Sequence, residues 1–393
     1  MTPAARISAA IDILDSILAG EPAEKALTNW ARASRFAGSG DRAAVRDHVF
    51  EALRCRRSYG WLGGGADGRA LMIGALHASN TDPESLFSGE KYAPAPLTSE
   101  ERARRELRDA PRAVRLDVPD WLLAHLERAL GADCTPVLQA LRQRAPLFLR
   151  VNRLRAQMDE AIRALARDGI EARPHPLAET ALEVLRNPRR VRGSSAWRRG
   201  LVEIQDAASQ AVVGALPLRD GMRVLDYCAG GGGKALAMAA RARLALTAHD
   251  ANPGRMRDLP ARAARAGAEV AIATQAQLAG RRFDLVVCDV PCSGSGAWRR
   301  SPEAKWRLSP KRLQELNEIQ KSILRNASEH VDEKGRIAYI TCSLLDEENG
   351  QVVSHFIQNT PGWRVKMQRR FTPLDGGADG FFLAVLTRAT VKS

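Results

Sequence analysis

The sequence predicts a multidomain chain whose C-terminal half is an α/β domain built on a mostly parallel, doubly wound sheet. Three observations point there. From about residue 205, short apolar strand candidates alternate with helix candidates, the pattern that puts crossover helices on both faces of a parallel sheet. At Pro146 the texture changes, and residues 141–204 read as a small α+β module. Before that, residues 1–140 carry helical periodicity with little strand-like alternation, as an all-α bundle requires.

Length and charge agree with this division. A chain of 393 residues has room for two or three cores. Residues 1–140 hold 18 basic and 19 acidic side chains, residues 141–200 hold 14 and 6, and residues 201–393 hold 27 and 20. A neutral first third joined to a basic remainder places polyanion contact mostly outside the first domain. The alternative is a generic basic surface in an Arg-rich chain. Six cysteines, at 55, 134, 228, 288, 292 and 342, include no C-x-x-C pair and no His partner at metal spacing. Neither a disulfide scaffold nor a metal site is expected. No apolar run approaches the ~20 residues of a membrane span. Asp12 and Asp15 interrupt any signal-like core at the N-terminus. Reduced thiols, a cytoplasmic location and no membrane association are the expectation.

In the first domain, residues 4–19 read as an amphipathic helix with Ile7, Ile11, Leu14, Ile17 and Leu18 on one face. A second helix, 41–58, takes Asp41 as its cap and Val45, Val49, Phe50 and Leu53 as its stripe. Further helices are expected near 68–79, 98–108 and 118–143, with 80–98 a proline-containing loop. The middle module offers a strand at 147–152, a helix at 158–168 and a strand at 181–185. Between Arg186 and Arg199 lie six arginines and Trp197, which suit either a solvated loop or a single-stranded RNA contact. In the α/β domain the strands are 223–226, 244–249, 270–274, 283–288, 336–341 and 380–387, and the helices 234–242, 254–266 and 309–330. The last helix has Ser309 as N-cap, Pro310 in its first turn and Leu313, Leu316, Ile323 and Leu324 as its stripe.

The chemistry-bearing residues fall where strands end. The first strand of the α/β domain runs into Cys228-Ala229-Gly230-Gly231-Gly232-Gly233-Lys234, whose glycines let backbone amides approach a ligand closely. Asp250 ends the next strand, about where an acidic residue meets ribose hydroxyls. Together these favour a nucleoside cofactor over a plain tight turn. Two strands end at Asp289-Val-Pro-Cys292-Ser293 and Thr341-Cys342-Ser343, and open α/β sheets place their sites at such carboxyl ends. C5 of cytosine is a poor nucleophile, so methylating it needs a thiolate added first at C6 and a base that later strips the C5 proton. Cys342 and Cys292 are the candidate thiols, and Asp289 is placed to meet the N3/N4 edge of a flipped base. Cys288, Cys55 and Cys134 read as small buried hydrophobes.

These motifs resemble the Nop/Sun RNA (cytosine-C5)-methyltransferases. Asp289-Val-Pro-Cys-Ser-Gly-Ser-Gly with Arg299-Arg-Ser-Pro302 and Lys305-Trp306 is similar to their fourth motif, and Tyr339-Ile-Thr-Cys-Ser through Asn349 to their sixth. Leu225 to Lys234 resembles the first motif, Asp379 to Leu386 the closing one, and Glu203 to Ser209 the segment leading into the catalytic domain. The helical N-terminus, with Gly40-Asp-Arg to Arg54, resembles the NusB-type domain of the bacterial Sun/Fmu branch. The resemblance implies a NusB-like domain over 1–140, a small α+β RNA-binding module over 141–204 and a class I (Rossmann-like) methyltransferase domain over 205–393. It implies S-adenosyl-L-methionine as donor and structured RNA as acceptor, with 16S ribosomal RNA first and transfer RNA as the alternative, in a monomeric protein. By the same resemblance Cys342 is the nucleophile, Cys292 the thiol aiding release and Asp289 the ligand of the cytosine edge, beside the cofactor. Residues 228–234 then surround the methionine part of the cofactor, with Lys234 close to the reacting centre and Asp250 on the ribose.

Two positions depart from the family pattern. Gly230 and Ala235 stand where Pro and Thr are usual, and Thr274-Gln275-Ala276-Gln277 lacks the acidic residue expected near the adenine. Gln275 is its expected counterpart, with weakened rather than lost cofactor binding. A DNA cytosine methyltransferase would need Glu-Asn-Val, whereas Glu348-Asn349 is followed by Gly350. A non-catalytic RNA-binding or ribosome-assembly factor on the same scaffold is the remaining alternative, opposed by the presence of both thiols, Asp289 and Lys234.

Overall fold

The computed structural model describes residues 1–388, which form two compact units: Met1–Arg144 with Trp298–Arg307, and Ala145–Ala297 with the chain from Leu308 on. The first unit contains no strand among its described residues. Its principal helices are Pro3–Leu18, Ala23–Ala33, Ser39–Arg54, Arg56–Gly63, Gly68–Ala78, Asp120–Leu130 and Cys134–Leu141. Ile7, Ile13, Leu14, Ile17, Val45, Val49, Leu53, Leu71 and Ile73 meet in one core. Dropping these side chains out of water stabilises the bundle by about 1.5–3 kcal/mol each.

Three expectations need correction here. The helix at 98–108 does not form. Glu101 accepts from the Thr98 N–H at 2.8 Å and makes one capped turn, but Glu100 to Glu106 supplies no apolar stripe to bury. The helix at 41–58 starts at Ser39 and breaks at Cys55, and Asp41 is not its cap: it accepts from the Gly38 N–H at 3.3 Å from the third helical position. The helix at 118–143 is interrupted at Gly131, where φ is +57°.

Segment 298–307 leaves the α/β sequence and joins the helical unit. Lys305 Nζ donates to Arg54 O at 3.1 Å and Trp306 Nε1 to Leu53 O at 2.7 Å, satisfying carbonyls at the open end of helix Ser39–Arg54.

The second unit holds two sheets. Strands β1 (Leu147–Val151), β2 (Glu171–Pro174), β3 (Ala181–Arg186) and β4 (Val202–Ile204) form an antiparallel sheet in the order β2-β3-β1-β4, with helix Met158–Arg167 supplying Ala161, Ala164 and Leu165 to its core. Strands β5 (Arg223–Asp226), β6 (Ala245–Ala248), β7 (Ala271–Ile272), β8 (Phe283–Asp289), β9 (Val331–Thr341), β10 (Trp363–Phe371) and β11 (Phe381–Arg388) form the larger sheet in the order β10-β11-β9-β8-β5-β6-β7. The five from β7 to β9 run parallel, and β11 is antiparallel to both β9 and β10. The doubly wound, mostly parallel sheet is therefore present, closed on one side by an antiparallel pair. Its central strands are apolar on both faces, as helix cover requires: Val224, Leu225, Leu285, Val286, Ile337 and Ala338 are all fully buried.

Candidate active site

The site candidates gather at the carboxyl ends of the parallel strands: Asp289 ends β8, Cys228, Asp250, Gln275, Cys292 and Cys342 follow strand ends, and Lys234 lies in the first turn of the helix after β5. After β5 the chain turns through Cys228 to Gly232 and enters helix Gly233–Ala239. Gly230 and Gly232 have φ of +50° and +77°, and a Cβ on Gly232 would lie 2.2 Å from Leu259 Cδ1, so both backbone angle and packing demand glycine there. The turn is pinned by Asp250, just past β6. One of its oxygens accepts from the Gly230 N–H at 2.9 Å and pairs with Arg255 at 3.3 Å, and the other accepts from the Asn252 N–H at 2.9 Å. After β7, Gln275 opens a short helix and accepts from the Tyr227 hydroxyl at 3.4 Å. Gln277 is committed elsewhere, its Oε1 accepting from the Thr274 N–H at 2.8 Å.

Beneath the turn lies a charged core. Lys234 Nζ donates to Asp289 Oδ2 at 2.6 Å, and the Phe381 ring lies 5.1 Å from the ammonium. Burial acts to lower the Lys234 pKa, but the charge and hydrogen bond of Asp289 outweigh it and raise it. Asp226, at the end of β5, is fully buried and neither oxygen makes a well-formed hydrogen bond. Its pKa is raised to about 7, first by burial and then by the Asp289 charge, against the Lys234 ammonium and the Ala235 amide. The Cys228 thiol is pushed up by burial and by Asp226 and Asp289, which leaves it a poor nucleophile.

The two thiols meet on the next pair of strands. Cys292 follows β8, Cys342 follows β9, and their sulfurs are 3.4 Å apart. Both side chains are partly exposed, whereas Cys288, Cys55 and Cys134 are buried. The hydrogen bond with Cys342 pushes the Cys292 thiol well up, with burial next and then the charges of Cys342 and Glu348. Either sulfur can donate in this contact. The loops are drawn tight by Gly296, whose N–H donates to Cys342 O at 3.0 Å and whose O accepts from the Gly380 N–H at 2.9 Å. A Cβ on Gly296 would strike Gly380 O at 2.0 Å.

The family description 16S rRNA methyltransferase RsmB/F matches residues 213–387, and an RsmF/B-like ferredoxin-like domain matches residues 118–192. The chain belongs to the RsmB/F methyltransferase family. Ribosomal RNA small subunit methyltransferase B of Pectobacterium carotovorum is 33% identical over 285 residues, which is 69% of this chain and 66% of that protein. Its counterpart in Yersinia pseudotuberculosis is 30% identical over 284 residues with the same coverage. The match thus spans 66% of the length of these relatives. Among solved structures, PH0851 superposes with a TM-score of 0.76 at 21% identity over 99% of both chains. NSun6 from Pyrococcus horikoshii does so with a TM-score of 0.62 at 17% identity, over 70% of this chain and 99% of that one. Both share the fold.

The basic and aromatic residues of segment 298–307 suit an RNA approach by sequence, but Trp298, Arg299 and Lys305 are buried and do not form an open basic stripe. Trp197 is half-buried with the Arg265 guanidinium 4.4 Å over its ring, which takes one of its stacking faces. The arginines at 186, 189, 190, 192, 198 and 199 are exposed. Among the described residues no helix is long and apolar enough to cross a membrane, and no cluster of three or more His, Cys, Asp or Glu could hold a metal ion. Sequence reasoning passed over Glu348, Ser293, Ser343 and Gln320, which lie beneath the thiols. Glu348-Asn349 lies in the stretch resembling the sixth motif and was set against the Glu-Asn-Val of DNA enzymes, but was given no role of its own.

Proposed function

We propose that this chain methylates C5 of cytosine in structured RNA, with 16S ribosomal RNA as substrate and S-adenosyl-L-methionine as donor. The observation that carries the reading is the pair of sulfurs 3.4 Å apart, on neighbouring strand ends beside the Lys234–Asp289 pair. Methylation of a less hindered nucleophile, such as a ring nitrogen or a ribose hydroxyl, would leave two adjacent thiols without a task.

The residues suited to hold the donor are the turn 228–233 around its methionine part, Asp250 at the ribose and Gln275 at the adenine. Partly spare acceptor capacity on Asp250, left-handed glycines and the Gln275 amide, whose oxygen is held by Tyr227, fit that group. When bound, the cofactor supplies an electrophilic methyl group. The chain's own groups do the rest. Cys342 Sγ, as thiolate, bonds to C6, and the C5=C6 π electrons move toward C5 and the N3 edge, where Asp289 and Lys234 stand to hold the base and supply positive charge. Once Cys342 has become a thioether, its thiol no longer stands beside Cys292 to push that thiol up. Cys292 can then pass its proton to water and take the proton from C5. The electrons of that C–H bond re-form C5=C6 as the C6–S bond breaks, and the pair returns to Cys342.

The 16S substrate is favoured by the printed name of the matching family and by the relatives named as small-subunit methyltransferases. Labelled methyl transfer to total RNA and to DNA tests the reading. Label confined to RNA and recovered as 5-methylcytidine is expected; label in DNA, or in RNA at another atom, overturns it.

A further inference from the structure

Glu348 is a fully buried carboxylate with no ion pair among the described residues. Four donors converge on it. Oε1 accepts from the Ser293 N–H at 2.7 Å and from Gln320 Nε2 at 3.0 Å, while Oε2 accepts from the Ser293 and Ser343 hydroxyls at 2.5 Å each. Ser293 follows Cys292 and Ser343 follows Cys342, so one side chain ties together the residues next to both thiols. Gln320, from helix Pro310–Ser328, also donates to Pro291 O at 2.9 Å and so bonds the Cys292 loop on its other side. Burying a carboxylate is costly unless its acceptor sites are filled. Only an acceptor-only group can take all four donors; an amide would set its own N–H₂ against some of them.

The two thiols do not depend on this carboxylate equally. Cys342 continues directly from β9, and its neighbours have holds besides Glu348. Thr341 Oγ1 donates to Asn349 Oδ1 at 2.5 Å, and Asn349 Nδ2 donates to Ser343 O at 2.9 Å. Cys292 sits in a loop beyond β8, and Ser293, the residue beside it, is bound to Glu348 through both backbone and side chain. Tyr339 braces Glu348 itself, its hydroxyl donating to Glu348 O at 2.6 Å.

We propose that Glu348 is a positioning residue that holds Cys292 in register with Cys342, so that it governs release of the methylated base rather than attack on it. This rests on the reading of the site given above. The mechanism already asks Cys292 to act second, and Glu348 is the group that carries its loop to the Cys342 sulfur.

Two measurements on the full chain test this, one of which needs neither RNA nor donor. Diamide, a diazenedicarboxamide oxidant, couples two neighbouring thiols: an S–S bond forms, both protons and two electrons pass to the N=N bond, and a hydrazine is left. The wild-type chain should form the Cys292–Cys342 disulfide, and Cys292→Ala should not. In Glu348→Gln the coupling should slow at least tenfold. With RNA and donor, Glu348→Gln should form its RNA-linked band at a rate within threefold of wild type yet accumulate it on denaturing gels, as Cys292→Ala does. Coupling at the wild-type rate, or attack and release slowed by equal factors, would overturn the proposal. If Glu348→Gln fails to fold, Ser293→Ala removes one of the four bonds and keeps the carboxylate; it should couple at an intermediate rate, and an unchanged rate counts against the clamp. If no variant transfers methyl groups while Glu348→Gln still couples slowly, the positioning stands and the cytosine reading falls.

Discussion

Replacing Lys234 with Met should destabilise the α/β unit by an amount that depends on pH. Lys234 and Asp289 form a 2.6 Å pair in which the lysine side chain is 9% exposed and the carboxylate 33%. Removing one partner of a buried pair costs about 3–5 kcal/mol. Because Asp289 keeps some access to water, a smaller cost, about 2–3 kcal/mol, is expected. For a unit of this size that corresponds to roughly 5–10 °C in melting temperature. The pH dependence comes from Asp226, whose pKa is about 7 with Lys234 present. Lys234 opposes that rise, so without it the folded value climbs further. A carboxylate whose folded pKa is raised above its unfolded value contributes stability that is complete below the unfolded value, about 4. That contribution is lost as pH rises through the folded value. The Lys234→Met deficit should therefore be smaller at pH 5, where only the loss of the pair remains, and grow between pH 7 and 9. Adding Asp289→Asn should recover part of it, with a coupling of about 1–3 kcal/mol in the double-mutant cycle. Thermal unfolding of the four proteins at pH 5 and pH 8 measures all of this. A deficit of equal size at both pH values, together with additive single mutants, would show that the pair and Asp226 are not electrostatically linked.

Further outcomes follow from the same geometry. Cys342→Ala should abolish both methyl transfer and the covalent RNA adduct, whereas Cys292→Ala should leave an adduct that survives denaturing gels; swapped phenotypes would reverse the assignment of nucleophile. Gln275→Glu restores the acid usual at this position in the family, and a charge-assisted bond should tighten cofactor binding by a few-fold, roughly 0.5–1.5 kcal/mol. Calorimetry showing weaker or unchanged binding would move the adenine away from Gln275. Replacing Arg189, Arg190 and Arg192 with Ala should weaken RNA binding and reduce the logarithmic salt slope by about 0.7 for each phosphate no longer neutralised. Cofactor affinity should be unchanged; an unaltered salt slope would remove these arginines from the RNA path.

How much of this could be read in advance depended on where each element lies. The central strands were legible because burial on both faces forces short apolar runs, as at Val224-Leu225 and Leu285-Val286-Val287. Strand β10 was not, because it lies at the sheet edge, where Arg364, Lys366, Arg369 and Arg370 face solvent and erase the alternation. Strand β2, another edge, ends in Pro174 and was equally silent. Helix Ala207–Gly214 is buried all round by Ala and Val, so it has no polar face to set a period. The thiols, the glycine turn and the acids at strand ends were legible because each chemistry demands a particular side chain at a particular place. Glu348 was missed because a buried acid has no sequence signature until its four donors are seen, and two of them come from a loop 55 residues away. Segment 298–307 shows the opposite: its arginines and tryptophans suggest a nucleic-acid surface in sequence, but Lys305 and Trp306 close a helix end.

The central claim is that Cys342 attacks a cytosine in RNA so that its C5 can be methylated. The most direct measurement incubates the chain with unmodified 16S ribosomal RNA and labelled donor, digests the RNA to nucleosides, and follows 5-methylcytidine by mass spectrometry beside bisulfite mapping. One cytosine should become methylated by the wild-type chain and remain unmodified with Cys342→Ala. Methylation that persists in Cys342→Ala, or label that appears in transfer RNA while ribosomal RNA stays unmodified, would contradict the account.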